Sequence, residues 1–298
     1  DTEFGDMYLT EIARGCARNC PFCLAGHTYK PYREHAIEDI LAQAEAGLQY
    51  RQRIGLISAA VSDYSRIDEL AVRLRDMGAR VSVSSMRVRP MSEPLLQALA
   101  ESGTQTLTIA PEAGSQRLRK FIQKGVRDED LFAAAELARK YDFRQIKLYF
   151  MIGLPTETED DVLEIARLTA ALGQRFSRQI TVNVTPFVPK AHTPFEREAM
   201  LGESEITTRL TLLQKELRGM GVSLKHDSPR AATIQGVLAR GDRRVSATLE
   251  QLAGPSLRDW KRAVDATGLD QRAYLDRRPA DANLPWGNVL ITPACRSG

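Results

Sequence analysis

Three of the four cysteines in this chain fall within eight residues, Cys16-Ala-Arg-Asn-Cys20-Pro-Phe-Cys23. Spaced C-x3-C-x2-C on one short loop, three thiolates can ligate three irons of a cubane [4Fe–4S] cluster and leave the fourth iron open to a substrate or cofactor. A loop rather than a helix is needed for three sulfurs to converge on one centre. The competing donor set is Cys16, Cys20, Cys23 and His27 around zinc, which would be structural and closed. Zinc sites more often use two C-x2-C pairs, and this sequence has no second pair. Three unrelated free thiols so close together are improbable. Cys295, far from the motif, reads as an unrelated free thiol.

The elements that must position this loop follow a regular order. All-apolar or period-two runs alternate with amphipathic runs, the sequence mark of successive βα units. Strands are expected at Met7–Ala13, Ile54–Ala60, Val81–Met86, Thr106–Ala110, Gln145–Ile152 and Ile180–Thr185. Helices are expected near Ile37–Gln49, Asp68–Met77, Ser92–Glu101, Asp128–Tyr141, Glu159–Gln174 and Glu203–Met220. Six such units with right-handed crossovers form a curved parallel sheet, an α/β fold in which chemistry gathers at the C-terminal strand ends. Beyond about Gly221 the alternation fades. Helices at Ala231–Leu238, Ser246–Ala253 and Leu257–Ala266, the last capped by Ser256, precede turn-rich segments at Arg277–Pro285 and Pro293–Gly298. The expected organisation is a barrel core over 1–220 with a C-terminal helical and irregular extension over 221–298 packed on it.

Composition narrows the function classes. The 298 residues are 43% hydrophobic and 27% charged with mixed signs, which excludes an extended disordered chain. A net charge of +3 gives no support for nucleic-acid binding. No apolar run approaches the roughly 20 residues that cross a bilayer, and no signal peptide opens the chain, so a cytoplasmic protein without a membrane partner is expected. The chain opens on Asp1 rather than Met, as an excised part of a longer polypeptide would.

With Phe22 before its last cysteine and a strand before it, the C-x3-C-x2-C motif resembles that of the radical S-adenosylmethionine (SAM) enzymes. Ala110-Pro-Glu-Ala-Gly-Ser-Gln-Arg-Leu-Arg119 is similar to the family's fourth-strand segment, and Met151-Ile-Gly-Leu-Pro-Thr-Glu157 to its fifth. Tyr29-Lys-Pro-Tyr-Arg-Glu34, Ser62-Asp-Tyr-Ser65 and Val188-Pro-Lys-Ala-His-Thr-Pro-Phe195 are most similar to a cobalamin-associated branch. The resemblance covers about residues 7–220, and more weakly Gly236–Arg244 and Leu284–Trp286. It implies a (β/α)6 partial TIM barrel and a [4Fe–4S] cluster on Cys16, Cys20 and Cys23. It also implies SAM on the open iron, reductive cleavage to a 5′-deoxyadenosyl radical, and hydrogen abstraction from a substrate. An electron donor such as flavodoxin or ferredoxin is implied as partner. Cobalamin, which would make the reaction a methylation, is an open cofactor: no Asp-x-His-x-x-Gly segment is present.

The same resemblance suggests SAM-binding residues, each with a plainer alternative. Ser58 lies where relatives hold the SAM amino group, although they often read Gly-Gly-Glu where this chain has Ser58-Ala59-Ala60. Ser84 or Ser85 suits a ribose hydroxyl. A strand-end serine also commonly bonds a nearby backbone group. Glu112 is an acceptor for the amino group or ribose, or a helix-cap acid. Lys124 stands where relatives present an arginine to the SAM carboxylate, or merely serves a helix C-terminus. Gly153 and Leu154 allow close approach of backbone to adenine, or form only a turn.

For the substrate, Lys147 and Tyr149 share one face of the fifth strand, and Lys147 is unusual in an apolar run. Pointing inward it needs an anion; pointing outward it covers the helix layer. His192 follows the sixth strand, facing the mouth or solvent. Arg87 and Arg89 form a short basic patch whose default is a solvated loop. Two other functions compete with a substrate-level radical enzyme. One is an RNA-modifying methylthiotransferase, whose further cluster and RNA-binding module are not evident here. The other is a non-catalytic metal-binding scaffold.

Overall fold

The structure, a computed structural model, describes residues 4–289 and 291. Cys295 and the segment 293–298 lie outside the described residues. β1 (Tyr8–Glu11) and β2 (Ala13–Arg14) lead into the cysteine loop, which holds α1 (Ala25–Thr28) and leaves through β3 (Arg33–Glu34). There follow α2 (Ile37–Leu48), β4 (Arg53–Ile57), α3 (Ile67–Asp76), β5 (Arg80–Ser82), α4 (Glu93–Glu101) and β6 (Thr106–Glu112). Next come α5 (Gln116–Phe121), α6 (Asp128–Lys140), β7 (Gln145–Ile152), α7 (Glu159–Arg175), β8 (Gln179–Pro186), α8 (Glu203–Leu217) and β9 (Ser223–His226). The chain closes with α9 (Pro229–Arg240), α10 (Arg244–Glu250), α11 (Leu257–Thr267) and α12 (Arg272–Leu275).

Side-chain alternation explains the layering. In β7, Ile146, Leu148, Phe150 and Ile152 are buried while Lys147, Tyr149 and Met151 are half-buried. Successive side chains of a strand point to opposite faces, so the first set packs under the helices and the second lines the lumen. β6 repeats the pattern. Helix starts are fixed by side chains that satisfy free N–H groups: Ser92 accepts from the Leu95 N–H, Ser115 from Leu118, and Thr158 from Asp161.

The sheets run parallel in the orders β1-β4-β5 and β6-β7-β8-β9, and a parallel bridge between Met86 and Ile109 joins them. The result is an open, partial barrel. It has a seventh strand beyond the six expected: β9 pairs with β8 from Thr181↔Ser223 to Val184↔His226. Two further differences have local causes. The third strand keeps its ladder only to Ser82 and rejoins the sheet at Met86. α8 stops at Leu217 because Gly219 and Gly221 take left-handed backbone angles and turn the chain into β9.

The C-terminal helices share the main core, with Val237, Trp260 and Leu275 buried in it. Arg240, fully buried, donates to the Leu275 and Asp276 carbonyl oxygens, and the Met200 N–H donates to the Leu275 oxygen. Among the described residues no helix is long and apolar enough to cross a membrane.

Candidate active site

The cysteine loop is bracketed at its base by the antiparallel pairs Ala13↔Glu34 and Arg14↔Arg33. Gly15 enters it with φ of 85°, and a Cβ there would stand 2.1 Å from the Tyr29 carbonyl oxygen, so the close approach demands glycine. Inside the loop the Cys23 N–H donates to the Cys20 carbonyl oxygen at 3.0 Å, and the Arg18 N–H lies 3.4 Å from Cys16 Sγ. His27 Nε2 is 3.1 Å from the Cys20 carbonyl oxygen. That contact occupies the nitrogen with the loop's own backbone. Among the described residues no three of His, Cys, Asp and Glu are gathered around one point as the ligands of a single ion would be.

All three cysteines line one cavity at the C-terminal ends of the strands, with Phe22, Ser85, Arg87, Glu112 and Lys124 around them. Glu112 and Lys124 form an ion pair at 2.8 Å, both largely buried. Burial pushes the Cys20 thiol up, opposed by the Lys124 and Arg87 charges. A third cation stands close by: Arg18 holds Asp63 in a two-pronged bond at 2.9 Å, and Arg87 reaches the same carboxylate at 3.5 Å. Among the described residues, the ion pairs of Arg18, Arg87 and Lys124 are with Asp63 and Glu112 alone. Burial favours the protonated form of Cys20 and the neighbouring cations oppose it; three sulfurs on one short loop beside those cations fit the donor set of a cluster held by three cysteines.

The positions of the remaining candidates divide them. Ser85 lines the cavity, but Ser84 does not. Ser58 accepts from the Ala60 N–H at 3.3 Å, the local bond a strand-end serine makes, while Ala59 and Ala60 line the cavity instead. Leu154 is buried beside Phe187 and Phe195 in a second apolar cluster against which Phe22 packs, and neither Gly153 nor Leu154 lines the cavity. His192 lines a different cavity, with Glu196 and Trp286. Its backbone lies at φ of 61° and its N–H is bound by Glu196, which turns the loop toward the C-terminal segment. Lys147 and Tyr149 lie on the lumen face.

Sequence reasoning undervalued Arg87. Grouped with Arg89 as a solvated patch, it is 12% exposed at its side chain and donates to the Lys124 carbonyl oxygen, whereas Arg89 is 56% exposed. Arg18 and Asp63 were also missed as a pair. The signal available was an arginine inside the cysteine motif and an acid in Ser62-Asp-Tyr-Ser65.

Residues 10–169 match the Radical SAM superfamily. The chain belongs to the radical SAM superfamily. This radical SAM chain is 38% identical over 255 residues to an uncharacterized protein of Methanocaldococcus jannaschii, covering 85% of itself and 56% of that protein. It is 25% identical over 287 residues to the ribosomal protein uS12 methylthiotransferase of Desulfotalea psychrophila, covering 89% of itself and 60% of that enzyme. It therefore spans less than two thirds of either relative. Among solved structures, Streptococcus suis SuiB superimposes with a TM-score of 0.51 at 12% identity over 85% of this chain and 54% of that one. That likeness shows a shared fold. Membership of the superfamily implies a [4Fe–4S] cluster and SAM.

Proposed function

We propose that the chain carries a SAM-cleaving radical centre in which Cys16, Cys20 and Cys23 hold the [4Fe–4S] cluster and the substrate occupies the lumen below it. The observation that carries this reading is the convergence of the three cysteines with the Glu112–Lys124 pair on one cavity at the strand ends. When bound, the cluster supplies the electron that splits SAM into methionine and a 5′-deoxyadenosyl radical, which takes a hydrogen atom from the substrate.

The chain's own residues would perform the binding. SAM presents an ammonium and a carboxylate, and Glu112 and Lys124 present the complementary charges side by side. Ser85 offers a hydroxyl to the ribose. Phe22, backed by the cluster that contains Phe187 and Phe195, walls off water on one side. Asp63 fixes Arg18 and Arg87, and Arg87 in turn fixes the carbonyl of Lys124, so the charged wall is preorganised. A low-potential flavodoxin or ferredoxin would deliver the electron.

The test is anaerobic reconstitution with iron and sulfide, an EPR spectrum of the reduced protein before and after SAM, and chromatography for 5′-deoxyadenosine. A four-iron signal that changes with SAM, and nucleoside formation, are expected. Cys20→Ala is expected to lose the cluster and all cleavage while keeping its far-UV circular dichroism. A full cluster in that variant would contradict the ligand assignment.

A second reading, methylthiolation, is favoured by the uS12 methylthiotransferase, whose alignment covers 89% of this chain. It calls for two clusters in the full-length protein, so the iron count separates it from the first. Methylation that requires added cobalamin would place the reaction in the cobalamin-associated class.

A further inference from the structure

Below the cysteine cavity the lumen carries a separate set of polar groups. Parallel register places Lys147 level with Thr108 and Thr181, and Tyr149 level with Asn183, which in turn pairs with Lys225. Ile146, Leu148, Val182 and Val184 are buried on the opposite face, so the half-buried Lys147, Tyr149 and Asn183 belong to the lumen face, and the exposed Lys225 lies level with Asn183 on the edge strand. The floor beneath them is already satisfied: the Thr106 hydroxyl donates to Gln145 Oε1 at 3.0 Å, and Gln145 Nε2 donates to the Thr181 hydroxyl oxygen at 2.7 Å.

Above that floor the inventory is one-sided. Lys147 Nζ stands 5.0 Å from the centre of the Tyr149 ring, and among the described residues neither Lys147 nor Lys225 has a carboxylate within ion-pair distance. Asn183 Nδ2 is enclosed without an acceptor. On β6 to β9 the lumen face offers one carboxylate, Glu112, and it is committed to Lys124. The half-buried Lys147 ammonium, with the Tyr149 ring beside it and no carboxylate partner among the described residues, lacks the anion that would offset its desolvation.

We propose that Lys147, Asn183 and Lys225 form the subsite for an anionic group of the substrate, a carboxylate or a phosphate. The purpose assigned to it rests on the SAM-cleaving reading above. Glu112 is level with Phe150, three residues beyond Lys147 on β7, which sets the anion about 10 Å below the SAM-binding rim by the rise of a strand. The substrate is accordingly extended, anchored by its charged end, with the reacting carbon at the far end of that span.

The anaerobically reconstituted protein is titrated calorimetrically with inorganic phosphate and, separately, with succinate. One of the two is expected to bind saturably, and which one identifies the charged group. Lys147→Met and Lys225→Met are each expected to weaken it about tenfold, the loss of one charge-assisted bond. Lys147→Arg is expected to keep most of the affinity, and Lys261→Met, on the exposed Lys261–Asp265 pair, to keep all of it. Absence of binding to both probes, or binding in Lys147→Met and Lys225→Met as tight as in the unsubstituted protein, overturns the proposal. Nucleoside formation by the unsubstituted protein is scored in parallel. Cleavage without anion binding sinks this subsite alone, and anion binding without cleavage sinks the SAM reading alone.

Discussion

Gly26→Ala probes how the cysteine loop is held shut. A methyl group at residue 26 would stand 2.2 Å from the Arg18 carbonyl oxygen and 3.3 Å from its carbon. Non-bonded heavy atoms rest near 3.5 Å or beyond, so α1 and the Arg18 backbone must part by about 1 Å. That carbonyl belongs to the residue midway between Cys16 and Cys20, and it cannot rotate away as a side chain would. In the metal-free loop the strain is relieved by opening. Drawing three sulfurs together forces it back, at the ~1–3 kcal/mol typical of overpacking. At 1.4 kcal/mol per decade, affinity for the cluster falls roughly five- to 150-fold. The assay is iron retained per chain after anaerobic reconstitution and graded chelator competition. Gly103→Ala is the control: Gly103 has a left-handed φ, 82°, which Gly26 does not, but nothing lies within 4 Å of its added Cβ. It is expected to lose some stability and no iron. Equal chelator resistance in Gly26→Ala and the unsubstituted protein would refute the reasoning.

Other outcomes follow from particular residues. Arg119 is 1% exposed and donates to the Ala113, Gly114 and Val126 carbonyl oxygens. Arg119→Met is expected to cost about 3–5 kcal/mol, read as a lowered urea midpoint, because those acceptors and Asp128 lose their shared donor. Gly173→Ala, within α7 and 4.0 Å from its nearest neighbour, Ile180 Cδ1, is expected to stabilise by about 0.5–1 kcal/mol, visible as a raised Tm. Burial pushes the Glu157 carboxyl up to about 7, against the Gly153 and Leu154 N–H groups and Arg209, from an ordinary value of 4.5. The folded state thus holds this proton more tightly. Its stabilising contribution is complete below about 4.5 and is lost as pH rises through about 7. Glu157→Gln should remove that part of the slope when urea midpoints at pH 5 and pH 8 are compared, and an unchanged slope would count against it.

Much of this arrangement is legible in the sequence where burial is periodic. β6 and β7 alternate without interruption, and Ser92, Thr158 and Ser256 announce the helices they cap. β9 is not legible. It has four residues, and only Ser223 and Leu224 are half-buried while Lys225 and His226 are exposed, so no period forms. α5 is hidden by its six-residue length within a segment that reads as motif. In the site, the cysteines declare themselves by spacing, but the fate of an arginine does not. Arg87 and Arg89 differ by two positions on a loop, where no period says which turns inward. Arg119 and Arg240 bond mostly backbone carbonyls, partners that leave no trace in residue identity.

The cysteine loop also fixes an order of construction. Its sulfurs are separated by at most seven positions and its base is closed by β2 and β3, so nearly everything needed to hold iron lies between Ala13 and Glu34. Glu112 and Lys124 are drawn in from about a hundred residues further along, after two complete βα units have docked. Short loops close at small entropic cost and long-range contacts come later. On the reading proposed above, a growing chain would present Cys16, Cys20 and Cys23 as a nearly finished unit while the Glu112–Lys124 wall is still unmade. Under that reading, cluster loading would not have to wait for the barrel to fold.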